Sequence, residues 1–236
     1  MANQTPFEKN IGLMGMLIVV VVSFGGLAEI VPLMFQDDVS APVEGIKPLD
    51  ALALEGRDIY IRDGCHVCHT QMVRPLRAET ERYGHYSVAG ESVYEHPFLW
   101  GSKRTGPDLH RVGGKYPDAW HYNHMENPRS TSPGSIMPNY TWLLSQKLDT
   151  TVVGDRLRAL RKVGVPYTDE QIHNAPKSIA SQSKTVVTNL AVGSITNAPP
   201  DREIIAVIAY LQRLGTDIKG AASTTTNAVA TAQVNH

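Results

Sequence analysis

Cys65-His66-Val67-Cys68-His69 constrains this chain more than any other feature, because its only two cysteines stand three positions apart with a histidine directly after the second. C-x-x-C-H is the attachment pattern of haem c. On one helical turn the two thiols face the same way, so each can form a thioether to one vinyl group of a single porphyrin. His69 then falls under the iron. The imidazole must be neutral to bind, and its other nitrogen needs an acceptor that holds the ring. His66 lies between the cysteines and points elsewhere. Three other readings are weaker. A disulfide closing so short a loop contributes little to stability. A thioredoxin-like dithiol needs a strand-to-helix setting, whereas the segment before Cys65 reads as helix. Zinc needs another ligand pair, and there is no second C-x-x-C. One covalently bound haem c on Cys65 and Cys68 is the expected cofactor, and electron transfer is the chemistry it implies.

The iron's second axial ligand must come from farther along the chain. Met72 is too close to His69 to reach the opposite face. Met125 falls within an apparent helix, where methionine is more often core filler than ligand. Met137 sits in Pro133-Gly134-Ser135-Ile136-Met137-Pro138, a loop stiffened at both ends, and is the expected thioether ligand. Such ligation raises the reduction potential relative to two histidines. With both axial sites filled, oxygen binding and gas sensing at this iron are disfavoured.

The N-terminal region bears on the compartment. From Ile11 to Ala28 there is no charged side chain, and with Glu29 tolerated the apolar run reaches Phe35. The shorter run spans about 27 Å at ~1.5 Å per residue, close to the ~30 Å hydrocarbon core of a bilayer. A cleaved signal has a shorter apolar part, so an uncleaved anchor is expected, although Val39-Ser40-Ala41 has the form of a cleavage site. Lys9 and Lys47 flank the run almost evenly, so charge does not give its sidedness. Glu29 reads as a carboxylate at the membrane interface. Over the whole chain 22 basic residues face 23 acidic ones, which gives no reason to expect nucleic acid as a partner.

These features divide the chain into a flank (1–9), a transmembrane anchor (10–35), a tether (36–48), a helical domain (49–215) with an insertion around 145–200, and a tail (216–236) expected to be disordered. Pro32, Pro42, Gly45 and Pro48 are the breakers expected to end the anchor and shape the tether. Apolar spacing predicts helices over Leu49–Arg62, Pro117–Asn127 (stopped by Pro128), Leu148–Val163 and Asp201–Leu214, the last with Asp201 as N-cap and Gly215 as stop. Residues 70–140 read as loops wrapped round something other than a conventional core. Residues 164–200 resist assignment.

The helix before Cys65, the Gly106-Pro107 turn, the Met137-Pro138 loop and the run from Ile208 to Leu214 together resemble a class I cytochrome c. More specifically, the anchor combined with Arg57-Asp58-Ile59-Tyr60, Thr70-Gln71-Met72-Val73-Arg74-Pro75, Glu79-Thr80-Glu81-Arg82-Tyr83-Gly84 and the string from Gly101 to Leu109 resembles the monohaem subunit (CcoO, also called FixO) of cbb3-type cytochrome c oxidases. The resemblance implies a mainly α fold: a single N-terminal transmembrane helix followed by a class I cytochrome c-like haem domain with insertions. It implies that the Pro107 carbonyl orients His69 and that the first and last helices of the domain cross near Gly56 and Tyr210. It also implies a bacterial inner membrane with the haem domain in the periplasm, a dihaem or soluble cytochrome c as donor, a polytopic haem-copper catalytic subunit as acceptor, and no oxygen-reducing site in this chain. Arg74, Arg77, Lys103 and Arg104 are candidate partners for the haem propionates, since a guanidinium matches a carboxylate bidentately; ordinary surface charge and subunit contact are the other readings of each. A stand-alone tethered carrier, or the anchored cytochrome of a nitric oxide reductase, would share the haem chemistry; the Arg57–Leu109 strings and residues 145–200, read as partner-docking surface, favour the oxidase.

Overall fold

In the computed structural model, residues 9–36 and 41–218 are described, in two compact units, Met1–Pro42 and Val43–His236. In the first, helix α1 (Ile11–Leu33) starts where the Asn10 side chain accepts from the Leu13 amide at 3.1 Å, which satisfies one of the orphan donors of the first turn. Its 23 residues extend for about 34 Å, and none of its side chains is buried. Length and apolar surface are those of a single-pass membrane anchor. Pro32 does not end the helix as expected but lies inside its last turn, where the hydrogen bond it forfeits is one of the last in the segment. The flank 1–8 and residues 37–40, and with them most of the cleavage-like Val39-Ser40-Ala41, lie outside the described residues.

The second unit is built from α2 (Ala51–Arg62), α3 (Cys65–Cys68), α4 (Arg77–Tyr83), α5 (Asp118–Glu126), α6 (Pro128–Thr131), α7 (Trp142–Ser145), α8 (Val153–Lys162), α9 (Asp169–Val192) and α10 (Glu203–Arg213), with a single 3-10 turn at Ala89–Glu91. Among the described residues there is no β-strand, only an isolated bridge between Lys147 and Arg202. The chain is mainly α.

The α2–α10 crossing organises this unit. Leu52, Ile59 and Tyr60 from α2 and Ile204, Ile205, Ile208 and Leu211 from α10 are buried against each other's helices. The backbones approach so closely at Gly56 that a β-carbon there would stand 2.5 Å from the Ala206 carbonyl carbon and 3.0 Å from Tyr210 Cβ. One turn on, the Tyr60 and Tyr210 rings meet edge to face with centroids 5.3 Å apart. The crossing implied by the family resemblance is thus where Gly56 permits it.

Residues 164–200, unassigned from sequence, contain the longest helix of the unit. Thr168 and Gln171 form a reciprocal capping box at its start, and Ile172, Ala175, Ile179, Ser183, Val186 and Leu190 form its buried face. Pro176 lies within α9 and obscures the pattern. The insertion is also not all docking surface: Gln182 Oε1 accepts from the Leu52 amide at 3.1 Å, and Arg156 of α8 pairs with Glu55 and, at 3.1 Å, with Asp58 of α2.

Several expected boundaries move for local reasons. Helix α2 begins at Ala51, with Asp50 rather than Leu49 at its entrance. Helix α8 begins at Val153, five residues after Leu148, because Asp149 Oδ1 accepts from both the amide (2.9 Å) and hydroxyl (2.7 Å) of Thr151 and holds a turn. Arg202, not Asp201, is the N-cap of α10: the Glu203 amide donates to the Gln146 carbonyl and the Leu148 amide to that of Asp201, so the preceding strand of chain satisfies this end. Pro128 both stops α5 and opens α6, with Asn127 capping. Residues 216–218, placed in the tail from sequence, are described and ordered against the domain. Asp217 accepts from the Lys47 amide at 3.1 Å and pairs with Arg213; residues 219–236 lie outside the described residues.

Candidate functional site

Helix α2 ends at Arg62 with Asp63 as its C-cap, and Gly64, with φ +72°, turns the chain into the single turn α3. That turn carries Cys65 and Cys68, both free thiols, the second exposed. Burial pushes the Cys65 thiol up to about 12, the opposite of what a nucleophilic dithiol requires. The His69 amide donates to the Cys65 carbonyl at 2.9 Å, and the residue itself is extended, so its ring leaves the turn.

A second segment is fastened over this motif. The amides of Thr105 and Gly106 donate to the Cys68 carbonyl at 3.0 and 2.9 Å, and His69 Nδ1 lies 2.8 Å from the Pro107 carbonyl oxygen. That oxygen can only accept, so in the neutral ring Nδ1 carries the proton and Nε2, which has no hydrogen bond, keeps its lone pair and could ligate a metal. Burial lowers the proton affinity of His69 and favours that neutral form. Buried Asp108 supports the turn from behind: one oxygen accepts from Thr70 Oγ1 at 2.6 Å and the Met72 amide at 2.8 Å, the other from the His110 amide at 2.9 Å. These are the loops that sequence left without a core; Asp108 is what ties them together.

A cavity of about 480 Å³ opens against this assembly. Cys65, Cys68, His69 and Pro107 line it, and so do Met137, Pro133 and Pro138. The Met137 loop is held by its own amide on Ser135 Oγ (3.2 Å) and by the Tyr140 amide on the Met125 carbonyl (2.8 Å). Met125 is 8% exposed, part of the core as expected, yet it lines the same cavity. Leu109, Val112 and Leu211 supply apolar wall.

None of Arg74, Arg77, Lys103 and Arg104 lines the cavity. Arg74 donates to the Ser102 carbonyl at 2.9 Å, Arg77 is 91% exposed and pairs with Glu81, and Lys103 is exposed. Arg104 is engaged by Glu79, Asp108 and the Met72 carbonyl, and stabilises the Asp108 loop instead. The propionate role therefore finds no support in this geometry.

Sequence reasoning missed the aromatic wall. Tyr116, Trp120 and His124 stack in a column on the cavity, with neighbouring centroids 4.1 and 4.5 Å apart and planes within 14°. Their i, i+4, i+8 spacing was the available signal, hidden because Tyr116 precedes α5. Tyr60 and His121, also on the wall, are buried and leave Oη and Nε2 without partners. A buried polar atom left so costs about 1–3 kcal/mol. Two thiols, an imidazole with a free ligating nitrogen, a thioether and unmet polar atoms around an apolar cavity fit a haem held by two thioethers.

The sequence model of the family described as "Cytochrome C oxidase, mono-heme subunit/FixO" matches residues 4–218. No curated protein matches this sequence. Among the described residues no group of three or more His, Cys, Asp or Glu is placed to hold a metal ion.

Proposed function

We propose a function from the premise that this chain belongs to the family of mono-haem cytochrome c oxidase subunits, FixO: it is the membrane-anchored electron relay of a cbb3-type oxidase. Electrons arrive from a dihaem or soluble cytochrome c and leave for the haem b and haem-copper centre of a polytopic catalytic subunit. The chain is an electron-transfer subunit, not the oxygen-reducing one. The observation that carries this reading is the single cavity on which Cys65, Cys68, His69 and Met137 converge.

Bound there on a cytochrome c-like fold, haem c supplies a one-electron iron couple, at a potential raised by thioether ligation. The residues of the chain set its terms. Cys65 and Cys68 fix the group covalently, and the Pro107 carbonyl, 2.8 Å from Nδ1, fixes the tautomer and bearing of His69. Prolines on both sides of Met137 restrict its loop, which lowers the entropy lost when a weak thioether ligand is held in place. Helix α1 keeps the unit at the membrane, with the haem domain in the periplasm of a bacterial inner membrane. Arg74, Arg77 and Lys103 remain available to partner subunits.

Purification in mild detergent tests this reading. The chain should co-purify with a large polytopic subunit containing b-type haem and copper. Recovery as a monomer that transfers electrons at full rate to a soluble acceptor would favour a stand-alone carrier instead.

A further inference from the structure

His124 is not used by the function above, yet it has the attributes of an iron ligand. It lines the same cavity as His69 and Met137. Its Nδ1 is 2.6 Å from Thr131 Oγ1, and that hydroxyl also lies 3.3 Å from the Pro128 carbonyl, to which it can donate. When the hydroxyl donates to that carbonyl it accepts from the ring, and Nδ1 then carries the imidazole proton. Nε2 is therefore left with its lone pair, and it has no hydrogen-bond partner. His69 is prepared in the same way, by the Pro107 carbonyl on Nδ1. Parallel stacking on Trp120, 4.5 Å between centroids and 12° between planes, fixes the plane of the His124 ring.

The Met137 side chain, by contrast, sits on a loop whose hydrogen bonding at that residue is local. Gly134 takes φ +80°, and the Met137 amide is bonded only to Ser135 within the loop. We infer that His124 is a reserve axial ligand, whose Nε2 takes the iron site opposite His69 when the Met137 thioether is absent. This rests on the haem reading above. An imidazole in place of a thioether keeps the iron six-coordinate and low-spin, lowers its potential, and closes it to exogenous ligands.

The test is the spin state and carbon monoxide binding of Met137→Leu holoprotein, compared with Met137→Leu/His124→Leu. The single variant should lose the weak sulfur-to-iron band yet stay low-spin and bind carbon monoxide about tenfold or more weakly than the double variant, a difference of at least ~1.4 kcal/mol. The double variant should be high-spin. A high-spin, carbon monoxide-binding single variant, or a double variant that stays low-spin, would overturn the assignment. Met137→Ala provides the same comparison if the leucine variant does not accumulate. Haem staining of the denatured chain separates the two layers: an unstained wild-type chain removes the haem reading, whereas stained but high-spin Met137→Leu protein removes only the role of His124.

Discussion

A β-carbon on Gly106 would stand 2.7 Å from His69 Nδ1 and 2.9 Å from Nε2, so the backbone at 106 rests directly on the imidazole it serves. Any side chain there must move either the ring or the Pro107 carbonyl. Gly106→Ala is therefore expected to destabilise the folded chain by about 1–3 kcal/mol and to reduce attached haem, read as haem stain per unit protein and as the midpoint of thermal unfolding. Wild-type values for both would show that the contact is not as tight as described.

Gly56 makes the equivalent contact between helices. With a β-carbon 2.5 Å from the Ala206 carbonyl carbon, Gly56→Ala forces α2 and α10 apart along the main core contact. The gain in helix propensity, about 1 kcal/mol, is smaller than the repacking cost, which overpacking puts at about 1–3 kcal/mol or more. Denaturant titration should show a lower midpoint; an unchanged or higher midpoint contradicts the crossing.

A pH dependence follows from His110. Burial holds this histidine down to about 4, between the Ser87 hydroxyl on Nδ1 and Glu91 3.4 Å from Nε2. The unfolded chain takes up the proton near ~6.5 and the folded chain only near the lower value. The unfolded state thus binds more protons in that window, so this contribution to stability is fully present above ~6.5 and is lost as pH falls towards 4. Glu55 and Glu95, raised by burial, act with the opposite sign. The comparison is therefore between wild type and His110→Gln: stability of the wild type should fall more steeply with acidification, by up to about 1.4 kcal/mol per pH unit. Parallel curves would show that His110 does not titrate low in the folded chain.

Both Met125 and Met137 line the cavity, so substitution separates them. Met137→Leu keeps volume and removes sulfur; the sulfur-to-iron band of the oxidised protein should vanish and the potential should fall. Met125→Leu should leave both signals in place at a cost below about 1.5 kcal/mol in stability. The reverse pattern would transfer the ligand role to Met125.

Much of this arrangement is legible in the sequence because local chemistry fixes it. Cys65, Cys68 and His69 are contiguous, Gly106-Pro107 is a recognisable turn, and the α10 face follows a plain helical period. Helix α9 was not legible: Pro176 breaks its pattern, and only the Thr168–Gln171 box marks its start. The roles of Arg104 and His124 were hidden for another reason. Each is decided by partners distant or unremarkable in sequence, Glu79 and Asp108 for the first, Thr131 and Trp120 for the second, and side-chain pairing of that kind leaves no periodicity to read.

The central claim is that Cys65 and Cys68 hold one haem covalently, and the mass of the denatured mature chain tests it most directly. The mature chain should be heavier than its polypeptide by one haem, with the added mass on the peptide containing Cys65-His66-Val67-Cys68-His69 and lost in Cys65→Ala/Cys68→Ala. A mature chain at polypeptide mass, with both thiols free to alkylation, would contradict it.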